Sequence, residues 1–223
     1  MKTVSLIING KQIMAPQGEN LLWVTLDNGI YIPNLCAIRY KLGPMAACRL
    51  CFVEVSNKVT PVTACTETVT EGMVVNTRGT KALRLARTGF GLLMASHPVT
   101  CYCCLANRSC ELQKIAAHLG VKLKGKKFRK LVRKLPIDNS HPLFSFDPSK
   151  CVLCGRCVWV CRQHLGIGVL GFAYRGFERV VTTFCDEPIG ASGCQRCEEC
   201  VRVCPTGSLT LKRKVVQPQV KSV

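Results

Sequence analysis

Aromatic residues make up only 6% of this 223-residue chain, too few for one broad core and better suited to several small modules. Acids are also scarce, 13 against 31 Lys and Arg, for a formal charge of +18. No apolar run approaches the roughly 18 to 20 residues that span a bilayer. Residues 1–9 alternate like a strand, unlike a signal peptide. These absences predict a cytoplasmic protein with no transmembrane segment. A glycine fingerprint for nucleotide phosphates and a nucleophile with its base are missing too: Asn9-Gly10 and Gly166-Ile167-Gly168 read as turn or strand glycines. The chain is therefore not expected to be catalytic alone.

Cysteine is what the chain does have, 17 residues of it. In a reducing compartment such density points to metal, and an odd count argues against a fully paired disulfide framework. Small modules that bury little apolar surface need a staple, and metal supplies one. Fifteen of the cysteines and one histidine fall into four consecutive sets with iron-sulfur spacing. Fifteen thiolates on four cores of about +2 each bring the charge down to roughly +11, and to roughly +7 after four one-electron reductions. Much of the basic excess thus balances the chain's own sites, and the rest suits acidic partner subunits or a small acidic ferredoxin.

In residues 1–78, Asn9-Gly10 between two alternating runs predicts a type I′ hairpin. Asn20 is expected to cap a short helix through Asn28, with Gly29 left-handed. The candidate ligands are Cys36, Cys48, Cys51 and Cys65, spaced C-x11-C-x2-C-x13-C. One close pair and two distant single cysteines resemble a plant-type ferredoxin loop with altered gaps. Zinc on the same four is the plainer alternative, but structural zinc usually takes two close pairs.

In residues 79–145, Thr80 is read as the cap of a helix reaching Ala95, and a second helix follows over 111–119. Between them stands His97-x3-Cys101-x2-Cys104-x5-Cys110. Cys103, adjacent to Cys104, cannot easily point at the same cluster and is read as either a buried thiol or one that supports the ligands from outside the set. Residues 121–134 hold the densest charge, eight Lys or Arg with Phe128 the only aromatic. That pattern suits a solvated face or docking to an acidic subunit, and without a recognition motif it is not read as nucleic-acid binding. His118, His141 and His164 lack comparable context and are read as structural.

Residues 146–212 carry the strongest signal. Cys151, Cys154, Cys157 and Cys161 make C-x2-C-x2-C-x3-C, and Cys194, Cys197, Cys200 and Cys204 repeat it before Pro205. Two such runs define a two-cluster ferredoxin in which each fourth cysteine ligates the other cluster. One 4Fe-4S set is then Cys151, Cys154, Cys157 and Cys204, and the other Cys161, Cys194, Cys197 and Cys200. A hairpin is expected over 169–183 around Arg175-Gly176, covering one cluster. Cys185 is read as structural, with substitution for a nominal ligand the alternative. Residues 213–223 are assigned as a tail.

The loop Met45-Ala46-Ala47-Cys48-Arg49-Leu50-Cys51, the His97 segment and the paired runs together resemble the iron-sulfur diaphorase small subunit of NAD-reducing hydrogenases. They also resemble the N-terminal part of the largest iron-sulfur subunit of complex I and the accessory domains of iron-only hydrogenases. The resemblance covers about residues 1–212. It implies an α+β modular fold: a β-grasp 2Fe-2S ferredoxin domain, a small helical cluster segment with one His and three Cys ligands, and a two-cluster 4Fe-4S ferredoxin-like domain. It implies one 2Fe-2S and three 4Fe-4S clusters, with His97 completing the three-cysteine set. Neutral histidine in place of thiolate removes a negative charge and should raise that site's potential.

The function implied is relay of single electrons between a flavoprotein NAD(H)-oxidising subunit and a catalytic metal subunit. A hydrogenase is the leading expectation for the latter. An NAD-dependent formate dehydrogenase, an electron-bifurcating complex or a free-standing multi-cluster carrier are the alternatives, and a zinc-bearing nucleic-acid binder is the rival class. Several members of these families continue into a catalytic domain, whereas this chain stops at Val223, so the chemistry is expected on another subunit.

Overall fold

A computed structural model of the chain describes residues 2–212; the proposed tail at 213–223 lies outside the described residues. Alternation in the first strand, β1 (Thr3–Ile8), buries Val4, Leu6 and Ile8. It turns through Asn9 (φ 52°) and Gly10 (φ 82°), the two left-handed positions of a type I′ turn, into β2 (Lys11–Pro16). Helix α1 (Leu21–Asp27) opens at Asn20, whose Oδ1 accepts the Leu22 N–H at 3.1 Å. Gly29 follows at φ 76°. Strands β3 (Phe52–Val55), β4 (Val62–Thr63) and β5 (Val74–Asn76) complete a mixed sheet of order β2-β1-β5-β3-β4, with β1 and β5 parallel. Its buried face and α1 form the first apolar core.

Helix α2 (Thr80–Ser96) corrects the expected cap. Thr80 is already helical and the capping residue is Gly79, which has no side chain to offer. Glu54 of β3 reaches across instead, and its Oε1 accepts the N–H groups of Lys81 (2.8 Å) and Ala82 (3.1 Å). A Cβ on residue 79 would occupy the space of that carboxylate, so a side chain there would displace the Glu54 cap. Helix α3 (Glu111–Leu119) ends at left-handed Gly120 (φ 63°) and packs on α2. The basic segment has no helix or strand over residues 121–137 and folds back on α2. Lys130 Nζ donates to the Met94 carbonyl at 2.9 Å and Leu131 N to that of Ala95 at 2.8 Å, satisfying orphan acceptors at the helix's negative end.

The last part is framed by β6 (Phe144–Phe146) paired antiparallel with β9 (Leu209–Leu211). Inside that frame, α4 (Arg156–Trp159) runs into a π-helical turn at Val160–His164. The expected hairpin follows as β7 (Gly171–Ala173) and β8 (Val180–Thr182), then α5 (Glu199–Arg202). Phe172 of β7 lies against Gly155 with Arg179 stacked on its ring at 4.0 Å, so the hairpin covers the loop at Cys154. Among the described residues no helix is long and apolar enough to cross a membrane.

Candidate metal centres

All seventeen cysteines are free thiols. The first four are buried where the loop before β3 meets α1. Cys36 Sγ stands 3.5 Å from Cys48 Sγ, and Cys51 and Cys65 form a second interacting pair. The Cys48 thiol pulls Cys36 down to about 6, while the same contact, burial and the Cys36 charge push Cys48 up. In the second pair the Cys51 contact likewise lowers Cys65, and a lowered thiol tends toward the thiolate that binds metal. Ala46 (φ 49°) and Arg49 (φ 53°) are left-handed without being glycine, strain of the order of 1–2 kcal/mol per residue that collects at functional loops. Two supports hold the loop: Asn20 Nδ2 donates to the Cys65 carbonyl at 2.8 Å, and α2 approaches so closely that a Cβ on Gly89 would lie 2.7 Å from the Arg49 carbonyl.

Cys101, Cys104 and Cys110 are half-buried between α2 and α3. Burial raises Cys110, and charges at Cys104 and Cys101 add to it, which places the three together. His97 follows the last residue of α2 and is lowered by burial. Its Nδ1 is buried with no hydrogen-bond partner, as a nitrogen waiting for a metal would be. His97 and Cys104 share Lys150 as a charged neighbour. Of the two readings of Cys103 the buried one is overturned: it is exposed and donates to the Thr100 carbonyl at 3.4 Å from the tight turn at Cys101–Cys103, while remaining, like Cys104, a charged neighbour of Lys150.

The paired runs interleave in space. Burial and the Cys204 charge push Cys151 up to about 11 and Cys154 up to about 12; Cys157 is raised well above its ordinary range by burial, then Cys154, Cys151 and Cys204. Cys200 is pushed up to about 12 by burial, then by Cys194, Cys197 and Cys161. The backbone repeats with them. Leu153 (φ 53°) and Gly155 (φ 80°) in one run correspond to Arg196 (φ 57°) and Glu198 (φ 61°) in the other, each pair leading into a four-residue helix. Such left-handed turns aim successive N–H groups at an anion; Leu153 N donates to Cys151 Sγ at 3.4 Å. Cys185 stands exposed at φ 52°.

These groups touch one another. Cys154 is buried in the same apolar core as Cys36 and Cys48, and Met45 Sδ would lie 3.1 Å from a Cβ on Gly155. On the other side Cys104 Sγ fills the space a Cβ on Gly207 would need, and Glu111 N, opening α3, donates to the Pro205 carbonyl at 3.1 Å. The Cys151–Cys204 neighbourhood is therefore a junction between the first loop and the His97 segment. Sequence reasoning missed His141, whose Nε2 lies 3.7 Å from Cys194 Sγ, because 53 residues separate them. It also missed the contact of Tyr40 with His164 (4.8 Å) and Trp159 (5.4 Å), which ties the first loop to α4.

Soft sulfur donors in these numbers suit iron-sulfur chemistry. Among the described residues no three His, Cys, Asp or Glu side chains close on a point that a single metal ion would fill; a cluster core, larger than an ion, needs wider spacing.

Comparison with known proteins agrees with this chemistry. Residues 1–80 match a family model described as a 2Fe-2S iron-sulfur cluster binding domain, 87–123 the NADH-ubiquinone oxidoreductase-G iron-sulfur binding region, and 144–164 a 4Fe-4S binding domain. The chain is 33% identical over 209 residues to the NADPH-Fe(3+) oxidoreductase subunit alpha of Geobacter sulfurreducens, covering 94% of itself and 24% of that protein. It is 33% identical over 222 residues to the NADP-reducing hydrogenase subunit HndD of Solidesulfovibrio fructosivorans, covering 94% of itself and 36% of that protein. It thus spans between a quarter and two fifths of these curated relatives. A chain in the crystal structure of an NAD+-reducing [NiFe]-hydrogenase in the H2-reduced state superposes with a TM-score of 0.81 at 26% identity, covering 96% of this chain and 90% of that one. The resemblance read from the cysteine spacing is borne out.

Proposed function

From its kinship with iron-sulfur subunits of NAD(P)-linked hydrogenases and of complex I, we propose that this chain relays single electrons between a flavoprotein that oxidises or reduces NAD(H) and a catalytic metal subunit, most simply a hydrogenase. An iron-sulfur cluster supplies one-electron transfer when bound. In this reading the mixed sheet with α1 is a β-grasp domain holding a 2Fe-2S cluster at Cys36, Cys48, Cys51 and Cys65. Three 4Fe-4S clusters belong to His97, Cys101, Cys104 and Cys110; to Cys151, Cys154, Cys157 and Cys204; and to Cys161, Cys194, Cys197 and Cys200. The carrying observation is contiguity: the Cys151–Cys204 site meets Cys48's core on one side and Cys104 on the other. Burial of the first four cysteines and the Leu153 N–H donated to Cys151 Sγ support that placement.

In this reading the contacts of Cys154 with the first core and of Gly207 with Cys104 support a relay from the first loop through the Cys151–Cys204 site to the His97 segment, with the Cys161–Cys200 site as a branch. The test is to purify the chain anaerobically and compare it with and without its flavoprotein partner. Brown protein with iron and acid-labile sulfide, reducible by NADH only when the flavoprotein is present, is expected. NADH oxidation by the isolated chain, or colourless protein holding zinc, overturns the proposal.

A further inference from the structure

The first cysteine of the Cys194 run is supported differently from its duplicate, beside the greater exposure of Cys197 than of Cys154. Cys151, the equivalent cysteine, receives a backbone N–H from two residues ahead. Cys194 instead faces an imidazole from a distant turn, His141, which is 2% exposed. Backbone geometry settles which ring nitrogen carries the proton. Leu143 N–H donates to His141 Nδ1 at 3.2 Å, so Nδ1 presents its lone pair and the hydrogen of the neutral ring sits on Nε2, aimed at Cys194 Sγ.

The ring is held from several directions. It stacks on Phe144 with centroids 3.9 Å apart at 27°. Its turn is clamped by Asp138, whose Oδ1 accepts the Ser140 N–H at 2.8 Å and whose Oδ2 accepts that of Ile189 at 2.8 Å. Ser140 Oγ in turn accepts the Gly190 N–H at 2.8 Å, four residues before Cys194, where a Cβ on Gly190 would lie 2.5 Å from the Ser140 carbonyl. Turn and cysteine loop therefore form one rigid unit.

We propose that His141 is a positioning residue that donates its Nε2–H to the Cys194 sulfur and so raises the reduction potential of the cluster held there above that of its duplicate. The proposal rests on reading Cys194 as a ligand. A hydrogen bond to a cluster sulfur strengthens as the cluster gains an electron, so it favours the reduced state.

The experiment is an EPR-monitored redox titration of the full iron-loaded chain, comparing wild type with His141→Phe and His141→Gln. Phenylalanine keeps the stacking and removes the donor, whereas the glutamine amide can offer an N–H in the same place. His141→Phe is expected to shift the reduced-to-oxidised ratio of one 4Fe-4S cluster at fixed potential up to about tenfold toward oxidised, or about 59 mV for one electron. His141→Gln should recover most of that shift, with iron content unchanged in both. Unchanged midpoints in His141→Phe, or equal shifts in both variants, overturn the proposal. Should either variant lose iron, wild-type chain labelled with 15N-histidine decides by pulsed EPR: a weak nitrogen coupling on a second cluster, besides the stronger one from His97, supports it. No such coupling, or one as strong as that from His97, overturns it. Cys194→Ala separates the two levels: if iron and every signal survive that change, the ligand reading itself fails.

Discussion

At the scale of single residues, glycine and histidine do what the cysteine pattern cannot. Gly207 has no side chain because Cys104 Sγ occupies the place of a Cβ. Gly207→Ala must therefore push one of two ligand-bearing loops aside, and overpacking of this kind costs about 1–3 kcal/mol. Iron analysis of that variant is expected to show one cluster lost, with the EPR signal of the His97 site the one that disappears. His97 has a buried Nδ1 without a partner. Replacing it by cysteine supplies a thiolate and adds a negative charge, so His97→Cys should keep its iron and titrate at a lower potential. Unchanged potential and spectra in that variant would count against ligation.

Among the elements, α2 organises the centre of the chain. Its first N–H groups depend on Glu54, its middle lies against Arg49, and its last carbonyls accept Lys130 and Leu131. Removing a cap costs about 1 kcal/mol. Glu54→Ala is accordingly predicted to speed amide exchange at Lys81 and Ala82 about fivefold; exchange rates indistinguishable from wild type would show that the carboxylate is not the cap. Gly89 tests a competition of two effects. Alanine would gain about 1 kcal/mol of helix propensity, but a Cβ 2.7 Å from the Arg49 carbonyl cannot be accommodated without moving the Cys48 loop. Gly89→Ala should lower the temperature at which 2Fe-2S absorption bleaches.

For the whole molecule, the three apolar cores differ in what fills them. The first counts two cysteines among seventeen buried residues, the third three among nine. On the proposed ligand sets, iron would hold proportionally more of the third together. Anaerobic removal of iron by a chelator is thus expected to abolish hydrogen-exchange protection in residues 144–211 first, while β1 and β2 stay protected. The second core joins Leu35, Cys36 and Leu50 to Phe90, Leu112 and Cys154, so a change in one module reaches its neighbours. That shared core is also what brings the candidate centres side by side.

Much of this was legible in the chain itself. Cysteine spacing within each run is local along the backbone, so it pointed to iron-sulfur chemistry and to the proposed ligand sets, and Asn9-Gly10 and Asn20 determined their turn and cap through contacts a few residues away. Contacts across long gaps were not legible. The cap of α2 comes from Glu54, 27 residues away from Lys81, and His141 meets Cys194 across 53. The exposure of Cys103 was not legible either, because burial depends on which way a tight turn sends neighbouring side chains. The sequence by itself determined which atoms can hold metal. Only the tertiary structure decided which site lies beside which, because adjacency is set by packing of Met45 on Gly155 and of Cys104 on Gly207, and neither contact leaves a mark in spacing or periodicity.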